Sequence, residues 1–230
     1  AIRTYVVKTD ASGNLEWTKT FSDSIQFISN NVPNDIVQTS DHGYLICGEI
    51  RGTGSAHDSY IIKTDAFGNM IWNRIYQYPE WNSFQKLKIT PEGDILLAGW
   101  IDVQEDSLDS RKMSFVKTDS LGNVMWAKAY TSNSIDLGTT LDISTDGSYL
   151  LAGAISINST SASSAVLQTD SAGTMINSAA FPVNVLFMTG NIIRQNNNGG
   201  FAVATTMKQG NQQRLFLIET DDDVITGCSQ

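Results

Sequence analysis

Histidine and cysteine are scarce in this chain: His42, His57, Cys47 and Cys228 are all it has in 230 residues. His42 falls in a tight turn and His57 in a loop just before a strand. Asp58 follows His57, but neighbours on an extended chain point to opposite sides, so it cannot orient the imidazole. A Ser/His/Asp triad or a zinc centre is therefore not expected. The two cysteines lie in different repeats without metal spacing and read as small buried hydrophobes. Long apolar runs are missing too. Those at 44–47 and 95–98 fall far short of the roughly 20 residues of a membrane span. Positive charge is in deficit, with 15 Lys and Arg against 24 Asp and Glu and a net charge of −9. That balance repels phosphate backbones and anionic membrane surfaces, which excludes nucleic acid as a partner. No segment carries a helical period. An initiator Met is also absent; the chain opens on Ala1-Ile2-Arg3 and enters a repeat at once, as expected of a processed or excised piece.

What the chain has instead is a module. Lys8-Thr9-Asp10-Ala11-Ser12-Gly13-Asn14-Leu15-Glu16-Trp17 returns as Lys63-Thr64-Asp65-Ala66-Phe67-Gly68-Asn69-Met70-Ile71-Trp72, and again from Lys117 through Asp119, Gly122 and Asn123 to Trp126. Reduced copies stand at Gln168-Thr169-Asp170 with Gly173 and at Glu219-Thr220-Asp221. The aspartates are spaced 55, 54, 51 and 51 residues apart, a period that means a repeat architecture. A second turn signal recurs within each repeat: Ser40-Asp41-His42-Gly43, Pro91-Glu92-Gly93-Asp94, Thr145-Asp146-Gly147-Ser148 and Asn196-Asn197-Asn198-Gly199-Gly200. Such Gly/Asp/Asn connections are hairpin turns that need positive φ.

Between the turns, short runs rich in β-branched and aromatic residues predict four strands per repeat, in the first complete unit about 35–39, 44–50, 60–64 and 69–76. The second strand (44–48, 95–99, 149–153, 201–205) is apolar without alternation, so both its faces are expected to be buried. The Gly or Ala near its end predicts close backbone approach from a neighbour. Four-stranded antiparallel sheets buried on both faces at this period predict an all-β fold, a β-propeller. Residues 4–21 supply only the last two strands of a blade, and fuller blades fall at about 35–76, 86–130, 139–181 and 191–228. The expected object is an incomplete arc of a larger propeller, or a ring completed by other chains or by missing sequence. Tight turns share one end of such blades. The longer connections, at 22–34, 51–59, 77–85, 101–112, 131–138, 155–162, 182–190 and 207–213, share the other, where a binding site is expected.

The pattern Tyr-x-Ile-Lys-Thr-Asp-x-x-Gly-Asn-x-x-Trp, then Gln-Thr-x-Asp-x-Gly-Tyr-x-x-x-Gly, resembles the β-propeller repeats of secreted and surface proteins of Bacteroidota and some archaea. The resemblance covers nearly the whole chain, best at 5–50, 60–99 and 115–153. It implies an extracellular or cell-surface location, often with type IX secretion. The Thr-Asp-x-x-Gly-Asn-x-x-Trp hairpin is also similar to the Asp-box of sialidase-type propellers. Repeated copies argue for scaffolding by Asp10, Gly13 and Trp17, Asp65, Gly68 and Trp72, and Asp119, Gly122 and Trp126, because an active site needs its residues once. Asn177 and Cys228 stand where the Trp would be, so poorer packing is expected there. Sialidase chemistry would need an arginine cluster, and the arginines do not recur at a common inner-strand position.

The candidate site residues lie in the longer connections. Tyr78 and Trp81 offer aromatic faces to a sugar or a protein, with Arg51 as a polar companion; Trp81 serves equally well as a cap on the blade interior. Asp102, Glu105, Asp106 and Asp109 crowd one connection and suit either Ca²⁺ or plain solvation. Asn158-Ser159-Thr160 is an N-glycosylation sequon, and Asp-Ser-x triplets at 23, 106, 119 and 170 resemble the short O-glycosylation signal of Bacteroidota. No catalytic residue is assigned. The reading is a non-enzymatic extracellular or cell-surface scaffold that engages protein or glycan through the long-connection end. The alternatives are part of a propeller-type polysaccharide hydrolase or lyase, and a structural subunit of a larger surface assembly.

Overall fold

A computed structural model describes residues 3–21, 30–51, 57–77, 82–102, 111–130, 136–158, 161–185, 187–197, 199–209 and 212–220. Every regular element in it is a β-strand. β1 (Thr4–Thr9) and β2 (Leu15–Phe21) form a two-stranded sheet. Three four-stranded sheets follow. The first holds β3 (Asn30–Gln38), β4 (Tyr44–Arg51), β5 (His57–Thr64) and β6 (Met70–Tyr76). The second holds β7 (Asn82–Ile89), β8 (Ile95–Asp102), β9 (Arg111–Thr118) and β10 (Val124–Tyr130). The third holds β11 (Asp136–Ile143), β12 (Tyr149–Asn158), β13 (Ser161–Thr169) and β14 (Met175–Val185). A last sheet has β15 (Phe187–Gln195), β16 (Phe201–Gln209) and β17 (Gln212–Glu219). All pairings are antiparallel between neighbours in sequence. Among the described residues no pairing joins the first sheet to the last, so the blades form an open arc.

Each sheet is buried between its neighbours, as the unalternating second strands require. Ile46, Ile50, Tyr60 and Ile62 pack on Phe21 and Val6 of the two-stranded sheet. The opposite face of the same sheet, with Leu45, Cys47 and Ile61, packs on Phe84, Leu87, Leu97 and Val116. Leu96, Ala98, Met113 and Phe115 then meet Leu141, Leu151 and Ala165. Leu150, Ala152 and Val166 meet Ile193, Phe201 and Val203. Cys47 is fully buried and free, and burial pushes its thiol well above the ordinary value. Cys228 lies outside the described residues.

The first strand of every blade is longer than its sequence suggests, because each carries a β-bulge. The register shifts between Pro33 and Asp35, between Phe84 and Lys86, between Gly138 and Thr140, and between Thr189 and Ile192. An extra residue breaks the alternation by which a strand is recognised. Opposite the first two bulges stand Gly48 and Gly99, where a β-carbon would collide with the carbonyls of Val32 and Ser83. The close approach expected of those glycines is thus real, and its source is the bulged neighbour strand.

The connections also differ from expectation. Among the described residues the expected tight turns are formed, but in the C-terminal half the strands continue through segments expected as long loops. β12 ends at Asn158 with β13 starting at Ser161, and β14 ends at Val185 with β15 starting at Phe187. In the N-terminal half consecutive strands end and start further apart, as at Phe21 and Asn30 and at Asp102 and Arg111.

Candidate functional site

The tight-turn end is built by the repeated acidic hairpin, and its chemistry is local. In each copy the aspartate Oδ1 accepts two backbone N–H groups: from Ser12 and Asn14 at Asp10, Phe67 and Asn69 at Asp65, Leu121 and Asn123 at Asp119, all between 2.8 and 2.9 Å. Oδ2 accepts the side-chain amide of Asn14, Asn69 or Asn123. The asparagine side-chain hydrogen bond is the largest influence holding these carboxyls below the ordinary range. The glycines take positive φ (Gly13 84°, Gly68 73°, Gly122 79°), where a Cβ would be strained.

The tryptophans do more than pack on their own sheet. A β-carbon placed on Gly68 would lie 2.9 Å from the Trp17 ring; one on Gly122 would lie 3.3 Å from Trp72, and one on Gly173 3.0 Å from Trp126. Each indole therefore covers the glycine turn of the following blade. The residue two further on does the same: Lys19, Arg74 and Lys128 put their aliphatic stems on Gly68, Gly122 and Gly173. Two residues beyond that, Tyr76 and Tyr130 donate their hydroxyl protons to the carbonyls of Gly122 and Gly173, at 2.8 and 2.7 Å. Burial raises both phenols, Tyr130 to about 12. These residues recur in place and have structural partners.

At the other end the side chains do not recur. The residue after the glycine of the second strand is Glu49 in the first four-stranded sheet, Trp100 in the second and Ala154 in the third. Glu49 is buried and accepts from Arg51 Nε at 2.6 Å and Nη2 at 2.5 Å. In the antiparallel register Arg51 stands opposite His57, and Glu49 opposite Ser59. Asn82 of the next sheet donates its amide to the His57 carbonyl at 3.0 Å. Burial holds the His57 imidazole below its ordinary value, against the pull of Glu49. Among the described residues Ser59 Oγ and Asn82 Oδ1 are buried with no hydrogen-bond partner. A cavity of about 140 Å³ opens beside Asn82, Phe84, Ile101 and Ser114. One strand further, the Arg111 guanidinium lies 4.9 Å from the centre of the half-buried Trp100 ring, with Asp102 opposite Arg111 in register.

Of the residues singled out from sequence, Arg51 belongs to this cluster and Asp102 borders it. Tyr78, Trp81, Glu105, Asp106 and Asp109 lie outside the described residues. Among the described residues no group of three or more His, Cys, Asp or Glu comes together. Sequence reasoning missed Glu49, Asn82 and Trp100. One signal was available: Glu49 is a charge inside an otherwise apolar run, Tyr44 to Ile50. Asn82 had none, since only the packing of one sheet on the next brings it to His57. A second, larger cavity of about 360 Å³ lies between the second and third four-stranded sheets, lined by Met113, Tyr130, Ile155, Leu167 and Met175 among others.

No protein-family model matches this sequence, and no curated protein matches it. Among solved structures the chain is similar to an endo-arabinase from Bacteroides thetaiotaomicron VPI-5482, with a TM-score of 0.52 and 12% identity over 96% of this chain and 93% of that one. At that identity the likeness establishes the fold, a β-propeller type. A fold shared by many activities does not carry an activity with it.

Proposed function

We propose that this chain is an extracellular polysaccharide-directed propeller, which takes up a glycan at the long-connection end of its first two four-stranded sheets. The observation that carries the reading is the non-repeating cluster there: the Glu49–Arg51 pair, His57 and Asn82, with Trp100 and Arg111 alongside. Sugar hydroxyls are recognised by planar polar groups held in place, and sugar faces by aromatic rings. The resemblance of the repeats to those of secreted proteins supports the location. The likeness in fold to an endo-arabinase favours polysaccharide over protein as the ligand. It also favours a second reading, in which the chain is part of a propeller-type polysaccharide hydrolase.

A panel of neutral and acidic polysaccharides that includes arabinan, screened for binding and for release of reducing ends, tests both readings. Binding without release supports a carbohydrate-binding module. Release that Glu49→Gln abolishes, with folding intact, supports the hydrolase. Neither binding nor release across the panel overturns the proposal and leaves a structural role.

A further inference from the structure

The repeat allows one row of side chains to be compared from sheet to sheet. Residues directly opposite each other in an antiparallel ladder share a face. In the first four-stranded sheet such a row runs Pro33, Gly48, Tyr60 and Ile75. It faces the two-stranded sheet. There the Tyr60 ring is buried, its hydroxyl lies 2.7 Å from that of Thr4, and Ile75 packs alongside. In the second four-stranded sheet the row is Phe84, Gly99, Ser114 and Ala129. Its one ring now stands on the first strand, 5.2 Å from the Tyr76 ring, and the cavity of about 140 Å³ lies beside it. In the third the row is Gly138, Gly153, Ala165 and Ala180. No side chain in that row exceeds a methyl group.

The cavity of about 360 Å³ between the second and third four-stranded sheets lies along this row. At the Gly138 end the sheets touch, since a β-carbon there would come within 2.4 Å of the Gly99 carbonyl oxygen. At the β14 edge Met175 is 54% exposed, so the cavity opens to solvent. Apolar cavities of about 150 Å³ stay dry and take up benzene, and small-molecule sites run from about 300 to 1,000 Å³.

We propose that this cavity binds a neutral aromatic molecule of the phenol class, which supplies the ring that the third sheet's own row lacks. Among the described residues no charged side chain lines it, so a charged ligand would lose its hydration without gaining a partner. Met113 from one sheet and Met175 from the other line it, and thioethers make favourable contacts with aromatic edges. Tyr130 and Ser178 add hydroxyl oxygens, enough for one polar substituent. A sugar would leave most of its hydroxyls unpaired here. The site goes beyond the glycan reading and is independent of it, because none of Glu49, Arg51, His57 and Trp100 lines the cavity.

Titration with p-cresol, the tyrosine side chain as a free molecule, tests the proposal. Calorimetry measures the affinity, and nuclear Overhauser contacts locate the ring. Ala165→Tyr and Ala180→Ile place the first sheet's residues in the third sheet's row, and circular dichroism and thermal melts check that each variant folds. The wild type is expected to bind p-cresol saturably, with cross-peaks from its ring protons to the methyl groups of Met113 and Met175. Each filled variant is expected to bind about tenfold more weakly or worse. Ala180 is exposed, so its variant decides the matter if Ala165→Tyr does not fold. The saturated counterpart, 4-methylcyclohexanol, is expected to bind more weakly than p-cresol. No saturable binding to the wild type overturns the proposal, as does an affinity unchanged in a folded filled variant. Cross-peaks that miss both methionines also overturn it, and equal binding of 4-methylcyclohexanol overturns the aromatic assignment.

Discussion

The junction between the first and second four-stranded sheets and the junction between the third and the last are built from the same module but fastened differently. At the earlier junction Trp72, Arg74 and Tyr76 reach across to the Gly122 turn, with a ring, an aliphatic stem and a hydroxyl in turn. At the later one the equivalent positions hold Asn177, Ala179 and Phe181. Asn177 turns back to its own sheet, donating to Gln168 at 3.3 Å, and Phe181 has no hydroxyl to give. The buttress between the two turns of one blade weakens in parallel. Lys63 bonds Asp41 at 2.8 Å and Lys117 bonds Asp94 at 3.0 Å, both as ion pairs, but in the third blade the uncharged Gln168 donates to the Ser148 hydroxyl instead. The hairpin itself survives the decay, since Asp170 still holds the N–H groups of Ala172 and Thr174. Turn formation and blade-to-blade fastening are therefore separate functions of one motif. The aspartate and glycine make the turn; the tryptophan, the cation and the tyrosine join it to the blade before.

That separation can be broken in graded steps. Trp72→Ala is expected to cost about 2–4 kcal/mol in urea unfolding, the scale for losing a large packed aromatic, while Asn177→Ala costs well under about 1 kcal/mol. Equal losses would erase the distinction. Gly122→Ala and Gly147→Ala form a finer pair. Both glycines have positive φ, 79° and 84°, so both substitutions incur about 1–2 kcal/mol of backbone strain. Only at Gly122 does the new methyl also press on Arg74 and Trp72; nothing lies within 4 Å of it at Gly147. The Gly122 variant is expected to melt lower. Tyr76→Phe removes the hydroxyl bond to the Gly122 carbonyl and is expected to cost about 1 kcal/mol, and Tyr130→Phe the same.

The smallest effect is on pH dependence. The lowered carboxyls of Asp65 and Asp119 contribute stability that is present above the ordinary carboxyl range and is lost as pH falls through their folded-state values. Melting temperature followed downward from pH 5 should fall less steeply in Asp119→Asn than in the wild type, because one group that links protonation to unfolding has gone. The turns at Asp10, Asp65, Asp119 and Asp170 all carry this linkage, so a single substitution flattens only part of the curve.

The blades were legible because their signals are local: an Asp-x-x-Gly-Asn hairpin and an unalternating apolar strand need only a few adjacent residues. What was hidden depends on neighbours. The bulges at Asn34, Gln85 and Thr139 interrupt the alternation that defines a strand, so β3 starts at Asn30, ahead of the expected 35. In the second turn His42 takes the left-handed position, with φ of 63°, although Gly43 beside it is the residue that suggests one. Tyr76 looked like the end of a strand; its partner, Gly122, is in another repeat. The site shows the same limit. Arg51 was legible as a charge beside a long connection, and Glu49 left a signal as a charge inside an apolar run, but Asn82 gains its meaning only when two sheets pack face to face.

Trp17, Trp72 and Trp126 each lie over the glycine turn of the module that follows. A nuclear Overhauser experiment on the selectively labelled protein addresses it directly. Cross-peaks are expected from the indole ring protons of Trp17 to the α-protons of Gly68, from Trp72 to Gly122, and from Trp126 to Gly173. Indole cross-peaks confined to each tryptophan's own blade would contradict the account.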